Sequence, residues 1–148
     1  MFGSAHIASP MGLISVTVDE ETVLSVRYGN ETPTQGSLPL AEDACQQLEE
    51  YSAGARKDFN LSLRWPKGMP PVFRDVLSVT AFIPAGQTIS YGEVARISGH
   101  PRAAGTALRQ NPFIIVVPCH RVIHADGTLS LYGGREDKRQ TLLDIDAL

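Results

Sequence analysis

Pro118-Cys119-His120-Arg121 sets a thiol, an imidazole and a guanidinium on consecutive residues. A thiol is a weak nucleophile and its thiolate a strong one, so a base or cation beside the sulfur decides what such a residue can do. An isolated Cys more often serves as a small core hydrophobe. The attached His120 and Arg121 turn the reading toward nucleophilic chemistry, with Cys119 as the nucleophile and His120 as its base. The preceding run, Phe113-Ile114-Ile115-Val116-Val117, is continuously apolar and predicts a buried strand that delivers the reactive residues at its end. Pro118 has no N–H to donate and a fixed φ, so regular pairing must stop there.

The elements that position this group are readable from periodicity. Ile14, Val16 and Val18 alternate with Ser15 and Thr17, and Leu24, Val26 and Tyr28 repeat the pattern. Two half-buried strands are predicted, joined by the acidic turn Asp19-Glu20-Glu21-Thr22. Residues 29–39 read as a loop, and Leu40 to Ala53 as a helix closed near Gly54. Residues 58–63 alternate again and predict an edge strand. Trp65-Pro66-Lys67-Gly68-Met69-Pro70-Pro71 has the composition of a linker, which divides the chain into units of residues 1–65 and 66–148. Beyond it the texture turns helical. Residues 72–83 predict a largely buried helix stopped by Pro84-Ala85-Gly86. Ser90 with Glu93 forms a capping-box pattern at the head of a helix from Tyr91 to Ser98. A turn at Gly99-His100-Pro101-Arg102 leads to a second short helix, Ala103 to Gln110. That pair has the form of a helix-turn-helix, although most such pairs only pack. Asp126-Gly127 is a turn signal, Tyr132-Gly133-Gly134 allows close backbone approach, and residues 136–147 predict a final helix with Leu142, Leu143 and Ile145 on its apolar face. The fold class is α+β.

Composition narrows the partners. The 148 residues are 43% hydrophobic and carry a net charge of −3, so no global positive field advertises nucleic acid. The charge is uneven: residues 1–67 hold 5 Lys/Arg against 9 Asp/Glu, and residues 68–148 hold 8 against 7. A polyanion contact is therefore expected in the second half, through a local patch. Two Cys make no disulfide framework, though a Cys45–Cys119 bridge stays open at this level. A thiol poised for chemistry implies a reducing compartment, so a cytoplasmic protein is expected. No export signal or membrane span is read, and no membrane partner is expected.

With Ile83-Pro84-x-Gly86, Ser90-Tyr91, Asn111-Pro112, Pro118-Cys119-His120-Arg121-Val122 and Tyr132-x-Gly134 in this order, the chain resembles the O6-alkylguanine-DNA alkyltransferases. The resemblance is strong from Val72 onward and weaker before it. It implies a small N-terminal ribonuclease-H-like α/β unit, followed by a mostly helical domain carrying a helix-turn-helix and the Pro-Cys-His-Arg turn. It implies a monomer that binds double-stranded DNA, flips an O6-alkylguanine (or O4-alkylthymine) out of the stack, and moves the alkyl group irreversibly to Cys119. The catalytic set so implied is Cys119, His120, Asp146, Tyr91 and Asn111. Asp146 stands where the family usually has Glu. The pocket would be lined by Tyr91, Ile114, Val122, Ser130, Tyr132, Gly133, Gly134 and Arg139, and the DNA met by Ser90, Tyr91, Arg102, Ala103, Thr106 and Arg109. Arg121 matches a structural arginine. No cofactor is implied, and the absence of a Cys/His cluster with zinc spacing predicts no metal.

One departure stands out. The family's recognition helix runs Pro-x-Ala-Ala-Arg-Ala-Val-Gly, and its Arg fills the gap left by the flipped base. Here Pro101-Arg102-Ala103-Ala104 passes straight to Gly105, so three residues including that Arg are missing. Three residues make nearly one helical turn, so later residues keep their facing on a shorter helix. The alternative function is therefore a lesion-binding protein without transfer. Relatives of that kind carry Trp in place of the Cys, which favours transfer for this chain. A Cys/His hydrolase unrelated to DNA lacks support, because no oxyanion-hole motif is evident.

Overall fold

The computed structural model describes residues 2–29, 38–124 and 136–148. A three-stranded antiparallel sheet opens the chain, built from β1 (Gly3–Ser9), β2 (Gly12–Val18) and β3 (Val23–Tyr28) in sequential order. The alternation in β2 buries Ile14, Val16 and Val18, whereas β3 buries Val23 and Val26 and leaves Leu24 and Tyr28 half-buried, with a register shift in the pairing at Thr17/Val18. The β2–β3 turn is held by Asp19, whose Oδ1 accepts the Glu21 and Thr22 backbone N–H groups at 2.9 and 2.6 Å. β1 is an addition to the sequence reading: its segment Gly3-Ser4-Ala5-His6 has no clean alternation, and it is recruited as an edge by the apolar partner strand. The predicted strand at 58–63 reduces to a single parallel bridge between Val23 and Leu63.

Helix α1 (Pro39–Ser52) packs across β1 and β2. Helix α2 (Pro71–Ala81) contacts α3 (Tyr91–Ser98) and α4 (Ala104–Arg109). The Ser90 cap is formed, with its Oγ accepting from the Glu93 N–H at 3.1 Å, but the reciprocal half of the predicted box is not, because the Glu93 carboxylate pairs with Arg96. Gly99 closes α3 in the left-handed region at φ 78°, as the predicted turn requires. Between α2 and α3, β4 (Ile89–Ser90) pairs in parallel with β5 (Val122–Ile123). The last helix, α5, spans Glu136–Asp146.

The predicted strand at 113–117 is not one. Only Phe113 bridges to a strand, at Val26, and the chain then coils. The Val116 N–H donates to the Ile114 carbonyl at 2.8 Å around Ile115, whose φ is 71°. The Val117 N–H donates to the Phe113 carbonyl at 2.9 Å, so the loop satisfies its own backbone while buried. A β-branched residue with positive φ is strained by about 1–3 kcal/mol. Burying the Ile115 side chain, which is 1% exposed, returns about the same amount. The apolar run thus predicted burial correctly and conformation wrongly, an ambiguity inherent to short apolar segments.

The two sequence units share a core. One cluster joins Ile14, Val26, Leu48 and Tyr51 of the N-terminal half to Leu77, Phe113, Cys119, Leu142 and Ile145 of the other. Trp65, within the predicted linker, packs edge-on against Phe113 with ring centroids 5.7 Å apart. No helix among the described residues is long and apolar enough to cross a membrane.

Candidate active site

Cys119, His120 and Arg121 form one turn of 3₁₀ helix entered through Pro118, whose φ of −82° and ψ of 66° define a three-residue turn closed by the Cys119 N–H on the Val117 carbonyl at 2.8 Å. All three are buried: Cys119 is 5%, His120 0% and Arg121 5% exposed. Both cysteines are free thiols, which settles the open question of a Cys45–Cys119 bridge. Burial, with Glu49 and Glu42 nearby, pushes the Cys45 thiol up to about 11. It is a packed residue and not a second nucleophile.

Asp146 meets this turn from the end of α5. Its Oδ2 lies 3.0 Å from His120 Nε2 and accepts from Arg121 Nε at 2.7 Å. Its Oδ1 accepts from Arg121 Nη2 at 2.8 Å and from Tyr51 Oη at 2.5 Å. Arg121 Nη1 donates to the Ile83 carbonyl at 2.7 Å, which ties the carboxylate–guanidinium pair to the end of α2. Burial works against the Asp146 charge, but the bonds from Arg121, His120 and Tyr51 outweigh it and hold the carboxyl well below the usual range. Burial dominates at His120 and lowers its pKa, assisted by the Arg121 and Arg139 charges and opposed by Asp146. A neutral imidazole facing an ionised carboxylate must carry its proton on Nε2. Its Nδ1 then holds the lone pair, and among the described residues Nδ1 has no hydrogen-bond partner.

Asn111 addresses the sulfur from the other side. Its Nδ2 donates to the Val117 carbonyl at 2.8 Å and approaches Cys119 Sγ at 3.3 Å, while its Oδ1 accepts the Phe113 N–H at 2.9 Å. One side chain therefore braces the coiled loop and touches the thiol. The β4–β5 pairing sets Ile89 beside Val122 and Ser90 beside Ile123, so the strand that leads into Tyr91, at the head of α3, is paired with the strand that leaves the Cys119 turn. Tyr91 lies over Gly105: a Cβ there would overlap its hydroxyl and stand 3.3 Å from its Cζ.

The family model for the 6-O-methylguanine DNA methyltransferase DNA-binding domain matches residues 71–148. The chain belongs to this family. It is 37% identical over 151 residues to the methylated-DNA–protein-cysteine methyltransferase of Mycolicibacterium paratuberculosis, covering 95% of this chain and 89% of that protein. It is 42% identical over 121 residues to a DNA base-flipping protein of Thermus thermophilus, covering 80% of each. The crystal structure of Mycobacterium tuberculosis OGT in complex with DNA superposes with a TM-score of 0.85 at 33% identity, covering 97% of this chain and 91% of that one.

In this member of the methyltransferase family, Ile114 and Val122 are buried at 7% and 1% exposure, on either side of the reactive turn. Arg139 is buried on α5 and its charge acts on His120. Ala103, Thr106 and Arg109 recur at every third residue along α4, with Arg102 exposed in the turn before it. Ser130, Tyr132, Gly133 and Gly134 lie outside the described residues, as does the Asp126-Gly127 turn. Sequence reasoning missed Tyr51. It also missed Lys57, whose Nζ donates to the Asp146 and Leu148 carbonyls at 3.1 and 2.6 Å and so caps the C-terminal end of α5. The available signal for Tyr51 was a tyrosine on the buried face of a helix, since a buried phenol needs a partner.

Proposed function

We propose that the protein repairs double-stranded DNA by moving the alkyl group of O6-alkylguanine, and of O4-alkylthymine, to its own Cys119, once per molecule. The carrying observation is the Asp146–His120 pair, which fixes the imidazole proton on Nε2 and leaves Nδ1 as the base. His120 takes the thiol proton at Nδ1 through solvent, and Asp146 stabilises the imidazolium. The Cys119 thiolate attacks the alkyl carbon, an S–C bond forms as the C–O6 bond breaks, and guanine leaves with a proton from Tyr91, whose phenolate regains one through solvent as the His120 imidazolium releases the thiol proton. The thioether has no route back, so turnover ends there. Asn111 donates to the sulfur and keeps it on the loop. Arg121 acts by anchoring Asp146 rather than by touching substrate.

In the same reading, α3 and α4 are a helix-turn-helix that meets the duplex through Ser90, Tyr91, Arg102, Ala103, Thr106 and Arg109. The extruded base enters past Ile114 and Val122 toward Arg139 and the segment holding Ser130, Tyr132, Gly133 and Gly134. Residues 1–65 are a ribonuclease-H-like unit and residues 66–148 the alkyl-accepting unit of a monomer that works in the reducing cytoplasm.

Intact-mass spectrometry after incubation with O6-methylguanine DNA tests the proposal. A gain of one methyl group, mapped to Cys119 and absent from Cys119→Ala, is expected; labelling of Cys45 would defeat the assignment. A second reading, lesion binding without transfer, is favoured by the six-residue α4 and by the similarity to the base-flipping protein of Thermus thermophilus. Tight binding with no mass gain would select it.

A further inference from the structure

Beside the Cys119 turn, a cleft of about 570 Å³ opens between the end of β3, the 66–70 segment and the end of α4. Its lining includes Arg27, Lys67 and Arg109, three cations from three separate parts of the chain, and no carboxylate among the described residues. Lys138 sits over the ring of Tyr28, another lining residue, with Nζ 5.4 Å from the centroid.

This concentration runs against the composition of its own half of the chain. Residues 1–67 carry five cations in a net acidic segment. Arg56 pairs with Glu50, Arg64 pairs with Asp19, and Lys57 caps α5. Arg27 and Lys67 line the cleft, whatever further contacts each makes. Arg109 supplies the third charge from the last residue of α4, and Asn111, also in the lining, is the residue that bonds Cys119 Sγ. A ligand gripped here is registered against the thiol.

We propose that this cleft holds a phosphodiester segment of the DNA backbone, so that Arg27 and Lys67 extend the DNA contact from α4 onto the N-terminal unit. The inference rests on DNA as the partner in the reading above. It moves part of the contact into the half of the chain where the charge balance had placed none. Cations around a concave surface neutralise phosphates and release counterions, with a salt slope of about 0.9 per phosphate. The cleft supplies electrostatic grip to a chain whose recognition helix lacks its inserted arginine.

Binding of a short undamaged duplex to the full chain, measured across potassium chloride concentrations, tests this. The Arg27→Ala/Lys67→Ala variant is expected to bind more weakly, with the slope of log affinity against log salt flattened by up to about 1.8. The Arg56→Ala/Arg64→Ala variant removes the same charge from the same half outside the cleft and is expected to keep the wild-type slope. Thermal melts confirm folding; should the first pair fail to fold, Lys67→Glu alone, at an exposed position, must flatten the slope. Equal flattening in both pairs, or in neither, overturns the cleft. Flattening in the first pair alone, with no methyl gained on Cys119 from damaged DNA, overturns the transfer and leaves the cleft standing.

Discussion

Replacing Asp146 with Asn tests the catalytic core most directly, because the amide keeps the shape and removes the charge. Each carboxylate oxygen accepts two donors: His120 and Arg121 Nε on Oδ2, Tyr51 and Arg121 Nη2 on Oδ1. An amide presents one acceptor and one donor group, so in either orientation an Arg121 N–H faces another N–H. The less costly orientation turns the NH₂ toward Tyr51, because a hydroxyl can reverse its role, whereas His120 can accept at Nε2 only by moving its proton to Nδ1. The base therefore keeps its tautomer but loses the charge that stabilises its protonated form. Removing one partner of a buried ion pair costs about 3–5 kcal/mol. Removing general-base assistance costs about 10²–10⁴-fold in rate. The assay is single-turnover transfer from a free O6-alkylguanine base, followed by intact mass, on protein shown to be folded by a urea melt. A folded Asp146→Asn variant within threefold of the wild-type rate would refute the role given to Asp146, and an unchanged urea midpoint would refute the buried network.

Tyr51→Phe should lower stability by about 1.5–3 kcal/mol, the worth of a hydrogen bond to a charged group, and should raise the His120 pKa because Asp146 keeps more of its charge; a falling or unchanged imidazole titration by NMR in a Cys119→Ser background would count against it. Stability should also depend on pH through His120. Its folded pKa lies below the unfolded 6.5, so protonation favours the unfolded chain: stability is full above that value and falls as pH drops below it, by up to about 1.4 kcal/mol per unit. The Asp146 contribution is full above its unfolded 3.8 and is lost only at lower pH, so urea midpoints between pH 7 and 5 should fall in wild type and much less in His120→Asn. Inserting Arg-Ala-Val between Ala104 and Gly105 should speed repair of duplex DNA far more than transfer from a free base, since only the duplex requires base rotation; equal gains on both substrates would contradict this.

The sequence carried the reactive turn because Pro118-Cys119-His120-Arg121 is a local motif, whereas Asp146, 26 residues from His120, is implied only by the family resemblance. It also carried β2, β3 and the helices, whose apolar periods are unambiguous. It failed where tertiary context decides. Residues 113–117 are as apolar as a strand, yet contact with β3 stops at the Ile114 N–H on the Val26 carbonyl, and the Val116 and Val117 N–H groups turn back onto the loop itself. Glu93 offered a capping box, but Arg96 three residues on competes for the same carboxylate. Tyr51 could be seen as a buried phenol, but its acceptor lies 95 residues away in sequence and no pattern in α1 points to it.

The shortened α4 is more than a loss. In the structure Gly105 lies directly beneath Tyr91, and any side chain there would displace the phenol. The missing residues would fall just before this glycine, so the junction that removes the arginine also decides what lies under Tyr91. With only six residues, α4 is too short to be stable by propensity and is held by Ala104 and Ala107 packing on Val76 and Val94. Its position is thus set by the core, and the phenol's position is set by α4. With no Cβ at Gly105, the tyrosine lies directly against the helix. In the proposed repair reading, recognition of an extruded base leans on Tyr91 and on backbone grip rather than on filling the gap in the stack.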